Sequence, residues 1–285
     1  MPRADRERAL SGRLAEVGEH LATTRELGVV VGAMRGIAAA RLQESRQHLD
    51  GVRAYAETLG AAIGEALALL PEPQRPTADA GEHGHALVLA FCAEQGFVGG
   101  YNERVLDAAQ TCRGTAQLWL LGERGELGAL ERGLQADWTA PMAVHLDEVP
   151  ALAGRLVEAL YAGLGTGAAQ RVTLVHAQPG RTEVLARPLL PFDYSRFAVS
   201  RRAQAPHVTL APQQLIAGLA DEYLYAELCE ALMLSFAAEN EARMQAMVAA
   251  QGNVEQRRSE LLAEFRRVRQ GEITEEIIEL SASRL

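Results

Sequence analysis

The chain has 285 residues, 48% hydrophobic and 23% charged, a globular composition long enough for one large domain or two small ones. All 28 basic residues are Arg, so a P-loop with its phosphate-binding Lys and any Schiff-base chemistry are excluded. A formal net charge of −9 argues against a nucleic-acid partner.

The N-terminal 70 residues contain proline only at Pro2 and carry no signal-peptide pattern, and no run of about 18 apolar residues occurs anywhere in the chain. Leu10, Leu14, Val17, Leu21, Thr24, Gly28 and Val31 alternate at four and three, a heptad-like stripe. It then drifts through Met34, Ile37, Leu42, Leu49, Val52, Ala56, Leu59 and Ile63, so the partner surface must change along a long helix. Gly28, Gly32 and Gly36 recur at intervals of four; loose helix packing is the simpler reading, close approach of a second backbone the sharper one.

Residues 71–84 hold Pro, Gly and His and read as a linker. His83 and His85 lack acidic or Cys companions at ligand spacing and predict solvated histidines, not a metal site. Short apolar runs at 85–91, 117–121, 142–146, 171–177 and 183–190 then alternate with helical stretches near 103–112, 125–134 and 149–164. This predicts an α/β domain with a mostly parallel sheet. His145 and His176 fall in strand-like runs and predict packed side chains. Gly96-Phe-Val-Gly-Gly-Tyr-Asn102 follows the first strand and precedes a helix, where a phosphate cradle would sit; its spacing is not that of a dinucleotide fingerprint, and a tight strand-to-helix turn is the simpler reading. Cys92, Cys112 and Cys229 are widely spaced, which suits a reducing compartment.

A second linker covers 200–212. From 213 to 280 there is no proline, and Leu215, Leu219, Tyr223, Leu228, Leu232, Phe236, Met244, Met247, Val254, Leu261, Phe265, Val268, Ile273, Ile277 and Leu280 recur mostly at three to five. Sixty helical residues reach about 90 Å, a length typical of coiled coils. Paired acids such as Asp147-Glu148, Asp221-Glu222 and Glu275-Glu276 read as solvated faces. The Arg257-Arg258, Arg266-Arg267 and Arg269 cluster reads either as a carboxylate-binding surface or as another solvated face. No nucleophile–base constellation, cofactor motif or metal set stands out. The expected fold class is α/β: a long antiparallel two-helix coiled coil formed by the N-terminal (1–70) and C-terminal (213–285) arms, with an inserted Rossmann-like α/β domain and its linkers at 71–212.

Five ordered blocks resemble the gamma subunit of F-type ATP synthases. Ala33-Met34 with Ile37-Ala-Ala-Ala-Arg-Leu42 is similar to the family's A-M-x-M-V-A-A-S-K-M, and Arg53-Ala-Tyr-Ala-Glu-Thr58 to R-P-Y-A-E-T. Glu94 to Asn102 is similar to S/T-D-R-G-L-C-G-G-Y-N. Ala238-Glu239 with Ala242-Arg-Met-Gln-Ala-Met247 is similar to S-E-x-A-A-R-M-x-A-M. Arg267-Val-Arg-Gln270 with Ile273-Thr274, Glu276 and Glu279 is similar to R-A-R-Q-x-x-I-T-x-E-L-x-E-I. The resemblance implies a non-catalytic rotor subunit without cofactor or metal, coupling ion flow through the membrane c-ring to ATP synthesis or hydrolysis in an alpha–beta hexamer. It implies epsilon as a further partner and a peripheral place on the cytoplasmic face of a bacterial inner membrane. Met34, Arg267, Arg269, Gln270, Thr274 and Glu276 would contact the hexamer. A non-motor coiled-coil scaffold and a nucleotide-binding α/β enzyme with helical arms are the alternatives. The family's Thr-Lys is here Val31-Gly32, and its Arg-Arg ahead of a Tyr is Asp221-Glu222. Residues 209–285 hold 7 Arg against 13 acids, more acidic than is usual for such a shaft, which suggests the alternate, N-type F-ATPase.

Overall fold

The computed structural model describes residues 3–76, 85–165, 170–201 and 206–282. His83 and part of each linker lie outside them. By contact density the chain forms two units, one made of Met1–Ile37 with Met244–Leu285, the other of Ala38–Arg243.

Helices α1 (Arg3–Leu67) and α5 (Pro212–Ala282) account for both Pro-free arms. In the first unit they run antiparallel: a Cβ on Gly18 would lie 3.7 Å from Phe265, one on Gly28 3.3 Å from Val254, and Arg13 bonds Glu264 at 2.9 Å. The buried seam is thin. Among the described residues only Val17, Val31, Met247, Leu261 and Val268 are buried there.

The second unit is a three-layer sandwich. Strands β1 (Ala86–Phe91), β2 (Gln117–Leu121), β3 (Trp138–Ala140), β4 (Arg171–His176) and β5 (Leu185–Leu190) form one sheet in the order β3-β2-β1-β4-β5. All neighbours are parallel except β4 and β5. β1 is apolar throughout because both sheet faces are covered. Leu87, Leu89 and Phe91 pack towards α4 (Val149–Gly165) and α5. Val88 and Ala90 pack towards α2 (Tyr101–Arg113) and α3 (Glu123–Glu131), as the two-residue period of a strand requires.

Within this unit α5 is buried on nearly every side from 226 to 240, as expected where a helix is apolar all round. It shares one core with Leu49 of α1, with α4 and with the sheet. Below it, Ile63, Leu67, Leu70 and Ile216 enclose the rings of Phe192, Phe197 and Tyr223. A second segment comes close to α1 at Gly64, where any Cβ would collide with the Ala198 carbonyl oxygen and where Ser200 N–H donates to the Gly64 carbonyl at 3.0 Å.

Two sequence expectations need correction. The run 142–146 is not a strand: the edge strand is Trp138–Ala140, whose Trp138 ring packs tilted against Trp119 of β2 with centroids 4.8 Å apart. Pro141, lacking an N–H, ends it, and the Glu148 carboxylate takes the N–H groups of Val144 and His145 at 2.7 and 3.2 Å, leaving them no ladder to join. His145 is therefore an exposed cap of a short 3-10 turn, not a packed strand residue. At the glycine repeat of α1 the simpler reading, loose packing, agrees with the fold at two positions: a Cβ on Gly32 or Gly36 would meet nothing, so among the described residues no second backbone approaches there.

Candidate functional site

The proposed contact residues all fall in the first unit. Met34 is half-buried on α1, while Arg267, Arg269, Gln270, Thr274 and Glu276 are exposed on α5. At about 100° per residue, Arg267, Gln270 and Thr274 share one side of the helix; Arg269 and Glu276 share the other. The two sets flank the seam marked by Val268. The antiparallel register that sets Gly28 beside Val254 places Met34 near residue 248 of α5, about 30 Å along the helix from Arg269. The structure thus makes two patches, not one site. Thr274 Oγ1 donates to the Gln270 carbonyl at 2.7 Å, and among the described residues Arg266, Arg267 and Arg269 make no ion pair, leaving their guanidiniums available to acidic groups elsewhere.

Around them lies uncovered apolar surface. Leu27, Val29, Val30 and Ile37 of α1 and Val248, Ile273, Ile277 and Ile278 of α5 are exposed, Val29 by 69%. The first unit thus shows more large apolar side chains to the outside than it buries among its described residues.

A second feature was not anticipated as a contact. The turn Glu94–Asn102 and the block Ala238–Met247 of α5 were each singled out in the sequence, and in the fold Glu239 and Arg243 of that block meet the turn. Arg243 Nη2 donates to Glu239 Oε1 at 2.6 Å and to the Gln95 carbonyl at 3.1 Å; its Nε reaches the Gly96 carbonyl at 3.3 Å and its Nη1 the Asn240 Oδ1 at 3.3 Å. The Tyr101 hydroxyl is shared between the carbonyls of Phe91 (3.2 Å) and Ser235 (3.4 Å), and Asn102 Oδ1 accepts the Ala93 N–H at 2.8 Å. Burial pushes the Glu239 carboxyl up against the pull of the Arg243 guanidinium, and drives the Tyr101 phenol and Cys92 thiol well above their usual ranges. The signal in the sequence was charge at i and i+4, Glu239 and Arg243, at the end of a run, 231–238, that is free of charge.

This clasp answers the phosphate-cradle reading. In doubly wound sheets ligands bind at the carboxyl ends of the strands, where the strand order reverses, here between β1 and β4. That crevice is filled by α5: Ala238 and Ala242 pack on Cys92, Val98, Val175 and Ala177, and Gly180 N–H donates to Glu241 at 2.6 Å. An open groove of about 510 Å³ remains beside it, bordered by Phe97, Leu106, Arg124 and Leu127, with Phe97 exposed at φ +62°. Among the described residues no group of three His, Cys, Asp or Glu is placed to hold a metal, and no helix is long and apolar enough to cross a membrane.

Comparison with known proteins agrees with the two-helix frame. A family model described as ATP synthase matches residues 13–283. The ATP synthase gamma chain of Caldanaerobacter subterraneus subsp. tengcongensis is 26% identical over 208 residues, covering 67% of this chain and 70% of that protein. That of Salinibacter ruber is 28% identical over 231 residues, covering 70% and 74%. Among solved structures, a chain of the Euglena gracilis mitochondrial ATP synthase (OSCP/F1/c-ring) superposes with a TM-score of 0.63 at 15% identity, covering 96% of this chain and 94% of that one. A chain of the Tetrahymena thermophila mitochondrial ATP synthase central stalk and c-ring gives 0.56 at 21% identity, covering 78% and 99%. The structural likenesses speak for the fold, and the match over 13–283 for descent: the chain belongs to the ATP synthase family, among its gamma chains.

Proposed function

We propose that this chain is the central-stalk rotor subunit of an F-type ATP synthase, a non-catalytic part that couples ion flow through a membrane c-ring to ATP synthesis or hydrolysis in an alpha–beta hexamer. The observation that carries the reading is the first unit's excess of exposed over buried large apolar side chains. A soluble monomer rarely leaves so much unsheathed, and a surrounding collar of partner subunits is what such a surface fits. Contacts to that collar come from Met34 and from Arg267, Arg269, Gln270, Thr274 and Glu276. Because the two patches differ in chemistry and the stripe drifts, three identical catalytic sites would each meet a different face. That is the condition for biasing them towards different nucleotide states.

In this assignment residues 1–70 and 213–285 are the shaft and 71–212 the α/β domain, which faces epsilon and the c-ring. The protein would sit peripherally on the cytoplasmic face of a bacterial inner membrane, and its acidic second arm is consistent with the alternate, N-type F-ATPase. Reconstitution with the co-encoded alpha and beta subunits tests the reading. The expected result is a stoichiometric complex whose ATP hydrolysis drives rotation of this chain. Failure to co-purify with any alpha–beta hexamer would overturn it.

A further inference from the structure

The sequence offered no role for Asp221-Glu222, where the resembling family carries Arg-Arg, nor for the acid surplus of the second arm. In the fold, four acids of α5 are acceptors for donors on four other elements of the Ala38–Arg243 unit. Asp221 accepts from the Tyr161 hydroxyl of α4. Glu222 accepts from the Tyr55 hydroxyl of α1 at 2.7 Å. Glu230 pairs with Arg53 of α1 at 2.9 Å. Buried Glu227 takes Arg187 of β5 at 3.2 Å and Arg196 of the 3-10 turn Tyr194–Arg196 at 2.8 Å, and the Arg187 guanidinium also donates to the Glu227 carbonyl at 3.3 Å. One turn beyond Asp221, the Tyr225 hydroxyl reaches the Pro150 carbonyl of α4 at 3.4 Å.

The positions of these groups around α5 carry the argument. At about 100° per residue, Asp221 and Tyr225 lie within about 40° of each other, and both reach α4. Glu222 and Glu230 point to a second side, about 100° and 180° from Asp221, and both reach α1. Glu227, at about 240°, meets β5 and the turn. A helix bonded along one side can roll about its own axis; one bonded on three sides cannot roll without breaking a bond on at least one of them. We infer that Asp221, Glu222, Glu227 and Glu230 form a collar of acceptors that locks α5 against rotation relative to α1, α4 and the sheet, so that the α/β domain and the paired helices of this unit turn as one body. The Tyr55 phenol, pushed up to about 12 chiefly by its bond to Glu222, stays a donor across the physiological range. The acid surplus is thus partly an acceptor set, with the donors moved to the surroundings.

The inference rests on the rotor reading, since the collar's purpose is to carry torque. Its test uses the full chain in the reconstituted complex, with an orientation probe on Cys112 of α2; this thiol is exposed, whereas Cys92 and Cys229 are buried. The triple variant Tyr55→Phe, Tyr161→Phe, Arg196→Gln removes one donor per side and keeps the rings. The angular spread of the probe during catalytic pauses should rise by about twofold, with ATP hydrolysis little changed, as three modest bonds are lost. Arg53→Glu alone should also broaden the spread, and adding Glu230→Arg should restore it. An unchanged spread in the triple variant, or no recovery in the swapped pair, overturns the collar. Absence of rotation in the unaltered chain would instead overturn the rotor reading.

Discussion

The same two helices behave differently in the two units. In the Ala38–Arg243 unit α5 is walled in by α1, α4 and the sheet, its acids bonded to donors on neighbouring elements; in the other unit the two helices share a thin seam and show apolar residues outwards. A helix pair that buries only five described side chains draws little from its own core, whereas a three-layer sandwich supplies its own. The lesson is that one continuous helix can be enclosed in a core in one stretch and left largely uncovered in the next, and that burial, not periodicity, separates the two.

Substitutions can break this contrast at its strongest point. Arg243→Met strands the Glu239 carboxylate in the core and should cost the chain about 3–5 kcal/mol, read from urea unfolding, because an uncompensated buried charge outweighs the pair's own worth. A loss under about 1 kcal/mol would show the clasp to be dispensable.

The next effect is a pH dependence. His176 is fully buried in β4 with Nδ1 on the Ala177 carbonyl and Nε2 without a partner among the described residues, and burial drives its pKa down to about 4 from 6.5. The unfolded chain binds this proton more readily than the folded one. The contribution to stability is therefore full above pH 6.5 and is lost as the pH falls towards 4, about 3 kcal/mol in all. Urea midpoints between pH 7 and 4 should fall more steeply for the natural chain than for His176→Leu, with parallel curves refuting the assignment.

Glycine replacements should have opposite signs in the two units. Gly64→Ala drives a Cβ into the Ala198 carbonyl and should destabilise by about 1–3 kcal/mol. Gly32→Ala and Gly36→Ala meet open space and should each stabilise the free chain by up to about 1 kcal/mol in thermal melts. If they also weaken assembly with the hexamer, the open space is being used by a partner. The smallest effect is expected for Arg13→Ala: its pair with Glu264 is exposed to solvent, so the same melts should barely move, and added salt should erase what difference there is.

Much of the fold was legible because long-range order here follows local pattern. Freedom from proline and a three-to-four spacing mark α1 and α5, and apolar runs punctuated by Gly and Pro mark β1, β2, β4 and β5. The short edge strand escaped notice because Trp138-Thr-Ala140 has too few residues for a period; it exists through pairing with β2, where Trp138 packs against Trp119, a contact across 19 residues. The candidate contact residues were found by resemblance, and their exposure could not be known beforehand. The clasp and the collar were illegible for a different reason: Glu239 and Arg243, like Asp221 and Glu222, are ordinary helical charges until a carbonyl or a phenol from elsewhere in the chain arrives beside them.

The sequence alone determined that two long helices flank an α/β domain, that Lys-dependent chemistry is absent and that the motifs are those of the gamma chains. Helical period and composition are local properties, and they survive without knowledge of neighbours. Only the tertiary structure decided that α5 fills the crevice where a ligand would bind, that the acids at 221, 222, 227 and 230 meet donors on three sides, and that Gly64, not Gly32, is a close approach. Each depends on which surface the fold brings opposite a side chain, and that partner is far away in the chain.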